Sequence, residues 1–311
     1  MRPAASVLLL TTLTGFAYGL LAWTGVYALL GLLPAAPRFA TAGTTLGLLI
    51  ASFGLGASAL HLGRADRAWR AFSQWRSSWL SREAVGAVLT YPIAILFLLA
   101  LRWDHGGIAM RLLGAAVAVM ALGTVYCTAM IYASLKPIRQ WHNPHTAPDY
   151  LIYAAFSGAL LFALLHAVLV GGSAPIFVIV PMTAAIALLA KRAYWRHVDA
   201  QTPFASLASA IGLAKEVDVR ALDAPHFAEN YVLREMGFTI ARRHSGRLRR
   251  IALGLAFAAP LVLSILAGLS MAPLAATAAA VACAALGLLT ERWLFFAEAT
   301  HVSALYYGRV V

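Results

Sequence analysis

The chain has 311 residues, of which 61% are hydrophobic and only 12% are charged. Soluble domains carry about 25% charged residues, so a water-soluble globular fold is excluded. The formal net charge of +12 is one that nucleic-acid partners attract. Here, however, the basic residues sit in short loops between apolar runs, and membrane topology accounts for them without nucleic acid.

About 20 apolar residues cross a bilayer as a helix. The sequence offers eight such stretches, at 6–31, 41–61, 84–101, 112–135, 150–170, 174–190, 251–269 and 272–296. The expected fold is an all-α integral membrane protein, an eight-helix bundle forming a single domain over 1–311. The first run, Val7 to Leu33, is too long for a signal-peptide core and reads as a span. Gly171-Gly172-Ser173 predicts a tight turn between the fifth and sixth spans, and Ser270–Pro273 joins the last two. The opposite side carries the longer loops, 62–83, 136–149 and 191–250.

In the first of these loops, Trp69, Phe72, Trp75 and Trp79 follow helical spacing, with Arg67, Arg70 and Arg76 beside them. This pattern predicts an amphipathic helix over 65–80 lying in the membrane interface. Loop 191–250 is too long for a plain connection. It offers a short helix near Ala205–Val217, a turn at Ala224-Pro225, and Phe227, Tyr231, Leu233 and Phe238 between its charges. It is read as a cytoplasmic docking surface for a soluble subunit.

The charges segregate by side. Of 24 Lys and Arg residues, Arg38, Arg102 and Arg111 alone fall on the side of the short turns. The long-loop side includes Lys136, Arg139 and the cluster Arg242, Arg243, Arg247, Arg249 and Arg250. Basic loops stay inside, which puts both termini and the three long loops in the cytoplasm.

Ionisable residues in a membrane cost about 2.5–3.5 kcal/mol each on insertion scales and call for a reason. His61 ends the second span, Glu83 opens the third, Lys136 ends the fourth, and Glu291 and Arg292 lie in the last turns of the eighth. All gather at one membrane edge. Each also has a plain structural account. Ser81 can cap the third helix and leave Glu83 in its first turn, where the dipole favours it. Glu291 and Arg292, being adjacent, point apart and need separate partners.

A histidine and a carboxylate at such an edge suit quinol chemistry, in which two electrons and two protons leave together. A neutral imidazole accepts a hydroxyl proton, a carboxylate passes it to water, and apolar side chains hold the ring and tail. Cys127 and Cys283 lie in apolar runs and no CxxC is present, so the chain brings no iron–sulfur cluster. His166 lies near the opposite face from His61, leaving no facing intramembrane pair for a bis-histidine haem. The alternatives are a haem b cytochrome anchor and a secondary transporter. Transporters show internal repeats and midplane sites, and neither is visible here.

Several runs carry a family resemblance. Leu60-His61-Leu62-Gly63, Leu80-Ser81-Arg82-Glu83, Lys136-Pro137-Ile138-Arg139-Gln140-Trp141 and Glu291-Arg292-Trp293-Leu294-Phe295-Phe296 resemble the DmsC-type anchor of dimethyl sulfoxide reductases. The resemblance covers essentially the whole chain. It implies a haem-free anchor in the bacterial inner membrane that exchanges electrons with menaquinone or ubiquinone. The partners it implies are a four-cluster ferredoxin-like iron–sulfur subunit and a molybdopterin catalytic subunit, the isolated chain being inactive. It further implies that His61 and Glu83 belong to the quinone site. Arg64, Ser81, Glu291 and Arg292, gathered at the same edge, complete the candidate quinone-binding set. Cytoplasmic termini fit the sulfite-oxidising, quinone-reducing branch better than the reductases. The terminal substrate and the direction of electron flow belong to another chain.

Overall fold

The computed structural model describes residues 4–307, apart from 35–36, 60–63, 105, 172–174, 203–204, 215–216, 218, 220–221, 223–239 and 270–272. The side chains of 37, 65, 240–243, 306 and 307 are also outside the description. His61, the two short-turn motifs and the aromatic residues 227–238 therefore lie outside the described residues.

The described residues contain helices and no strand. The spans are α1 (Ala5–Leu30), α2 (Pro37–Ala59), α3 (Trp79–Trp103), α4 (Ile108–Ala133), α5 (Thr146–Leu169) and α6 (Ile176–Asp199). Then α7 runs Ile240–Leu253, continues through a π turn at Gly254–Ala258 and resumes at Ala259–Leu269. The last, α8, is Pro273–Ala297. All eight are long and apolar enough to cross a membrane. Large apolar side chains such as Phe53 and Val119 point outward, 72% and 69% exposed. A bilayer rather than water is the solvent that such a surface fits.

Local signals set the ends. Gly31 adopts φ +69°, and Leu32 N–H donates to Tyr27 while Gly31 N–H donates to Ala28. That pairing is a Schellman stop, and it needs a residue tolerant of left-handed backbone. At the bundle centre, α1 lies against α2, α4 and α5, and α5 also meets α6 and α8. The α1–α5 crossing is made by glycines. A Cβ on Gly19 would sit 1.9 Å from the Ala154 carbonyl oxygen, and one on Gly158 would sit 2.0 Å from the Gly19 carbonyl carbon. Small residues let backbones touch where lipid offers helices no hydrophobic drive to associate. Gly158→Leu is expected to destabilise the bundle by about 3 kcal/mol or more, the upper range for overpacking. Thermal unfolding in detergent would check this, with Gly123→Leu, where a Cβ meets nothing within 4 Å, as the control.

The structure departs from the sequence reading in three places. The segment 65–80 is not one amphipathic helix: Ala65–Phe72 is a 3-10 helix, turns follow, and Trp79 already belongs to α3. The cause is the cap. Ser78, not Ser81, caps α3, its hydroxyl accepting from Ser81 N–H at 3.4 Å. Trp69, Phe72 and Trp75 are exposed as an interfacial surface would be, while Trp79 packs edge-on against Tyr126. Second, α3 consequently starts at Trp79 and has no acidic residue in its first turn. Glu83 thus sits a turn deeper than a dipole-stabilised carboxylate would. Third, the connection 191–250 is shorter than expected, because α6 continues to Asp199 and α7 begins at Ile240. Within it, the helix expected near Ala205–Val217 is a single turn, Leu207–Ala210, boxed by Ser206 and Ser209.

Candidate functional site

The starts of α1, α3 and α5 and the ends of α2, α4, α6 and α8 meet at one end of the bundle. Among the described residues, the candidate-site residues singled out in the sequence gather there, in two separate places.

The first is a groove of about 330 Å³. Its walls come from Leu10 of α1, Leu55, Ser58 and Ala59 at the end of α2, Ala68 and Ala71 of the 3-10 helix, and Leu80 and Ala84 of α3. Its polar groups are Arg64, Arg67 and Glu83. This volume lies at the lower end of ligand sites, and a mostly apolar lining with few polar groups is their usual composition. Ala59 and Arg64 both line it, and His61 falls between them in sequence. Glu83 is buried and accepts a hydrogen bond from Thr128 of α4, Oγ1 to Oε1, at 2.6 Å. Arg82 fixes the entry to α3. It lies 4.2 Å from the centre of the Trp79 ring and donates to the carbonyls of Trp75 and Arg76 at 3.0 and 2.7 Å. The exposed contact of Arg64 with Asp66 at 3.5 Å adds little to stability.

Of the expected set, the structure brings Arg64 and Glu83 together on this groove. Ser81, two residues before Glu83, is buried outside the groove lining, its N–H held by the helix cap. Glu291 and Arg292 are not in the groove. They form the second place, an interior cluster between α5, α6 and α8. Glu291 Oε1 accepts from Lys191 Nζ at 2.5 Å, and both side chains are about 1% exposed. The same ammonium lies 4.0 Å from the Tyr194 ring centre and 4.7 Å from that of Trp195. The Arg292 guanidinium stacks 3.7 Å from the centre of the Tyr150 ring and reaches Glu291 Oε2 at 3.6 Å. Each of the adjacent pair gains a partner of its own, Lys191 and the Tyr150 ring, but Arg292 also turns back to Glu291, so the expectation that they point apart to separate partners holds only in part. Fully buried charges persist only when paired in this way.

Lys191 escapes the sequence reading, which counts it as a loop charge. The signal is present all the same: Val180, Ala184, Ala187, Lys191 and Tyr194 share the buried stripe of α6. Arg249, read from the sequence as a docking charge, is instead engaged within the chain. It donates to Asp199 at 2.8 Å and to Glu298 at 2.8 and 3.0 Å, which ties α6, α7 and α8 together. The Lys136–Trp141 motif serves as a clasp. Trp141 Nε1 donates to Phe295 O at 2.9 Å, Tyr194 Oη donates to Gln140 O at 2.9 Å, and Arg139 reaches Thr202 O. Beside it, His145 and His197 lie with ring centres 5.2 Å apart. Burial first, and the neighbouring His197 second, push the His145 imidazole below its ordinary range.

Comparison with known proteins agrees with this architecture. Residues 3–306 match the family described as "DMSO reductase anchor subunit (DmsC)". The chain is 36% identical to a sulfite dehydrogenase subunit of Allochromatium vinosum over 337 aligned positions, covering the full length of both proteins. The chain belongs to the DMSO reductase anchor subunit (DmsC) family and is a multi-pass membrane anchor of an oxidoreductase complex.

Proposed function

We propose that this chain is the anchor and quinone-exchanging subunit of a sulfite-oxidising molybdenum complex, and that quinone binds in the groove beside Glu83. The observation that carries this reading is the groove itself, an apolar slot at the bundle end with Glu83 and Arg64 on its wall. In sequence, His61 lies between two residues of the groove wall, Ala59 and Arg64. In this reading His61 and Glu83 hydrogen-bond the two ring oxygens and exchange their protons, while Arg64 favours charge that develops on the ring. The exposed Trp69, Phe72 and Trp75 hold the groove's roof at lipid headgroup depth.

Full-length similarity to a sulfite dehydrogenase subunit supports sulfite as the donor for the complex. The electrons then arrive through an iron–sulfur subunit from a molybdopterin subunit, both docked on the basic, cytoplasmic face. Arg247 and Arg250, with Arg242 and Arg243, are the steering charges there. Reversing Arg242 and Arg243 together is expected to weaken assembly at low salt, with the deficit shrinking as added salt screens the charges. Co-purification at increasing ionic strength checks it. A reporter fused after Val311 checks the orientation: fluorescence of a cytoplasmic reporter is expected, and periplasmic phosphatase activity would contradict it.

The direct test uses the complex in nanodiscs with sulfite as donor. It should reduce a short-chain quinone, and removal of the anchor should end that reaction while a soluble dye is still reduced. Quinone reduction that survives without the anchor would overturn the reading.

A further inference from the structure

We propose that buried hydroxyls and carboxylates between α1, α3, α4 and α5 form a proton route joining Asp149, at the start of α5, to Glu83 in the groove. The proposal rests on the quinone reading above and adds the source of the proton. Its middle is a narrow cavity whose walls include Thr11, Thr12, Thr128, Tyr150, Tyr153 and Arg292. The room inside, about 10 Å³, suits a single water.

Both ends of the cavity lead to a carboxylate. Thr128 lines it and donates to Glu83 at 2.6 Å. Tyr153 lines it and its hydroxyl donates to Asp149 Oδ2 at 3.4 Å. Between them, the buried Tyr150 Oη and Thr12 Oγ1 have no hydrogen-bond partner among the described residues. Buried hydroxyls of this kind are normally satisfied, and a water is the partner that fits here. Each hydroxyl donates one bond and accepts others, so a proton can arrive at one lone pair as another leaves.

The charges decide how the proton moves. Arg292 in the cavity wall cannot give up its proton and repels hydronium. Lys191 and Glu291 behind it neutralise one another at 2.5 Å. Excess charge therefore does not rest in the cavity, and the shift is concerted. Glu83 passes its proton to an oxygen of the reduced ring, Thr128 replaces it, the water replaces that of Thr128, Tyr153 turns its O–H from Asp149 to replace that of the water, and protonated Asp149 replaces that of Tyr153. With two electrons from the iron–sulfur partner and a second proton through His61, quinone becomes quinol. Asp149 refills at the same bundle end, one turn from His145, whose carbonyl accepts its N–H at 2.9 Å. Protons and electrons thus enter from one face, and turnover moves no charge across the membrane.

Thr128→Val and Tyr153→Phe keep the shape and remove each hydroxyl. In the whole complex, the ratio of short-chain ubiquinone reduction to dye reduction should fall about a hundredfold, the lower end of what positioned proton transfer contributes. The solvent deuterium effect on quinone turnover should grow, and Thr128→Ser should restore both. A ratio and isotope effect unchanged in both variants would overturn the route. His61→Ala run in parallel separates the two claims. If it lowers the ratio and the hydroxyl variants do not, the route alone falls; if it too changes nothing, the quinone site falls and takes the route with it.

Discussion

Lys191→Met should destabilise the assembled anchor by about 3 kcal/mol, the lower end of the cost of breaking a buried ion pair. The substitution fills the same space but leaves Glu291 Oε1 without its partner at 2.5 Å, in a site that is about 1% exposed. Arg292 lies 3.6 Å from the other carboxylate oxygen and takes up part of the lost attraction. The remaining cost is met by protonation of the carboxyl, which is cheaper than a bare buried charge. Lys191→Met with Glu291→Leu removes both charges and should recover much of the loss, because apolar replacement of a buried pair is often neutral. Detergent melting curves of the four members of the cycle check this. A single variant that melts with the wild type would show that the pair is not what holds α6 to α8.

The largest effect on activity is expected from the groove. Glu83→Ala and His61→Ala should each lower quinone-coupled turnover about a hundredfold to ten-thousandfold, as removal of a positioned proton donor does. The ratio to dye-coupled turnover is the quantity to follow, because it divides out losses in assembly. Glu83→Gln keeps the bond from Thr128 but carries no proton, so it should fail nearly as badly as alanine. If glutamine instead restores turnover, Glu83 shapes the groove and transfers nothing.

Much of this is legible in the sequence because the bilayer demands it. A span needs a long apolar run, and basic loops mark a side, so eight helices can be drawn from Val7 to Phe296. Helix ends are less legible where a span outlasts its apolar run. The sixth run stops at 190, yet α6 carries Lys191 inward on its buried stripe to meet Glu291, 100 residues away. No local pattern announces such a partner. The sequence reading takes Ser81 as the cap and the aromatic spacing as one helix, whereas the cap at Ser78 makes two elements. The gathering of Glu83, Glu291 and Arg292 at one end of the bundle is readable. The placing of Glu83 in a groove and of Glu291 and Arg292 in an interior cluster is not, since that depends on how α3, α6 and α8 rotate against their neighbours.

Photolabelling with a short-chain azidoquinone tests the central claim most directly. In the whole complex, adducts are expected on segments 55–71 and 80–84, which carry the groove walls, and unlabelled quinone should compete them away. Competed adducts confined to the other end of the bundle, near Arg38, Arg111 or His166, would contradict a quinone site at Glu83.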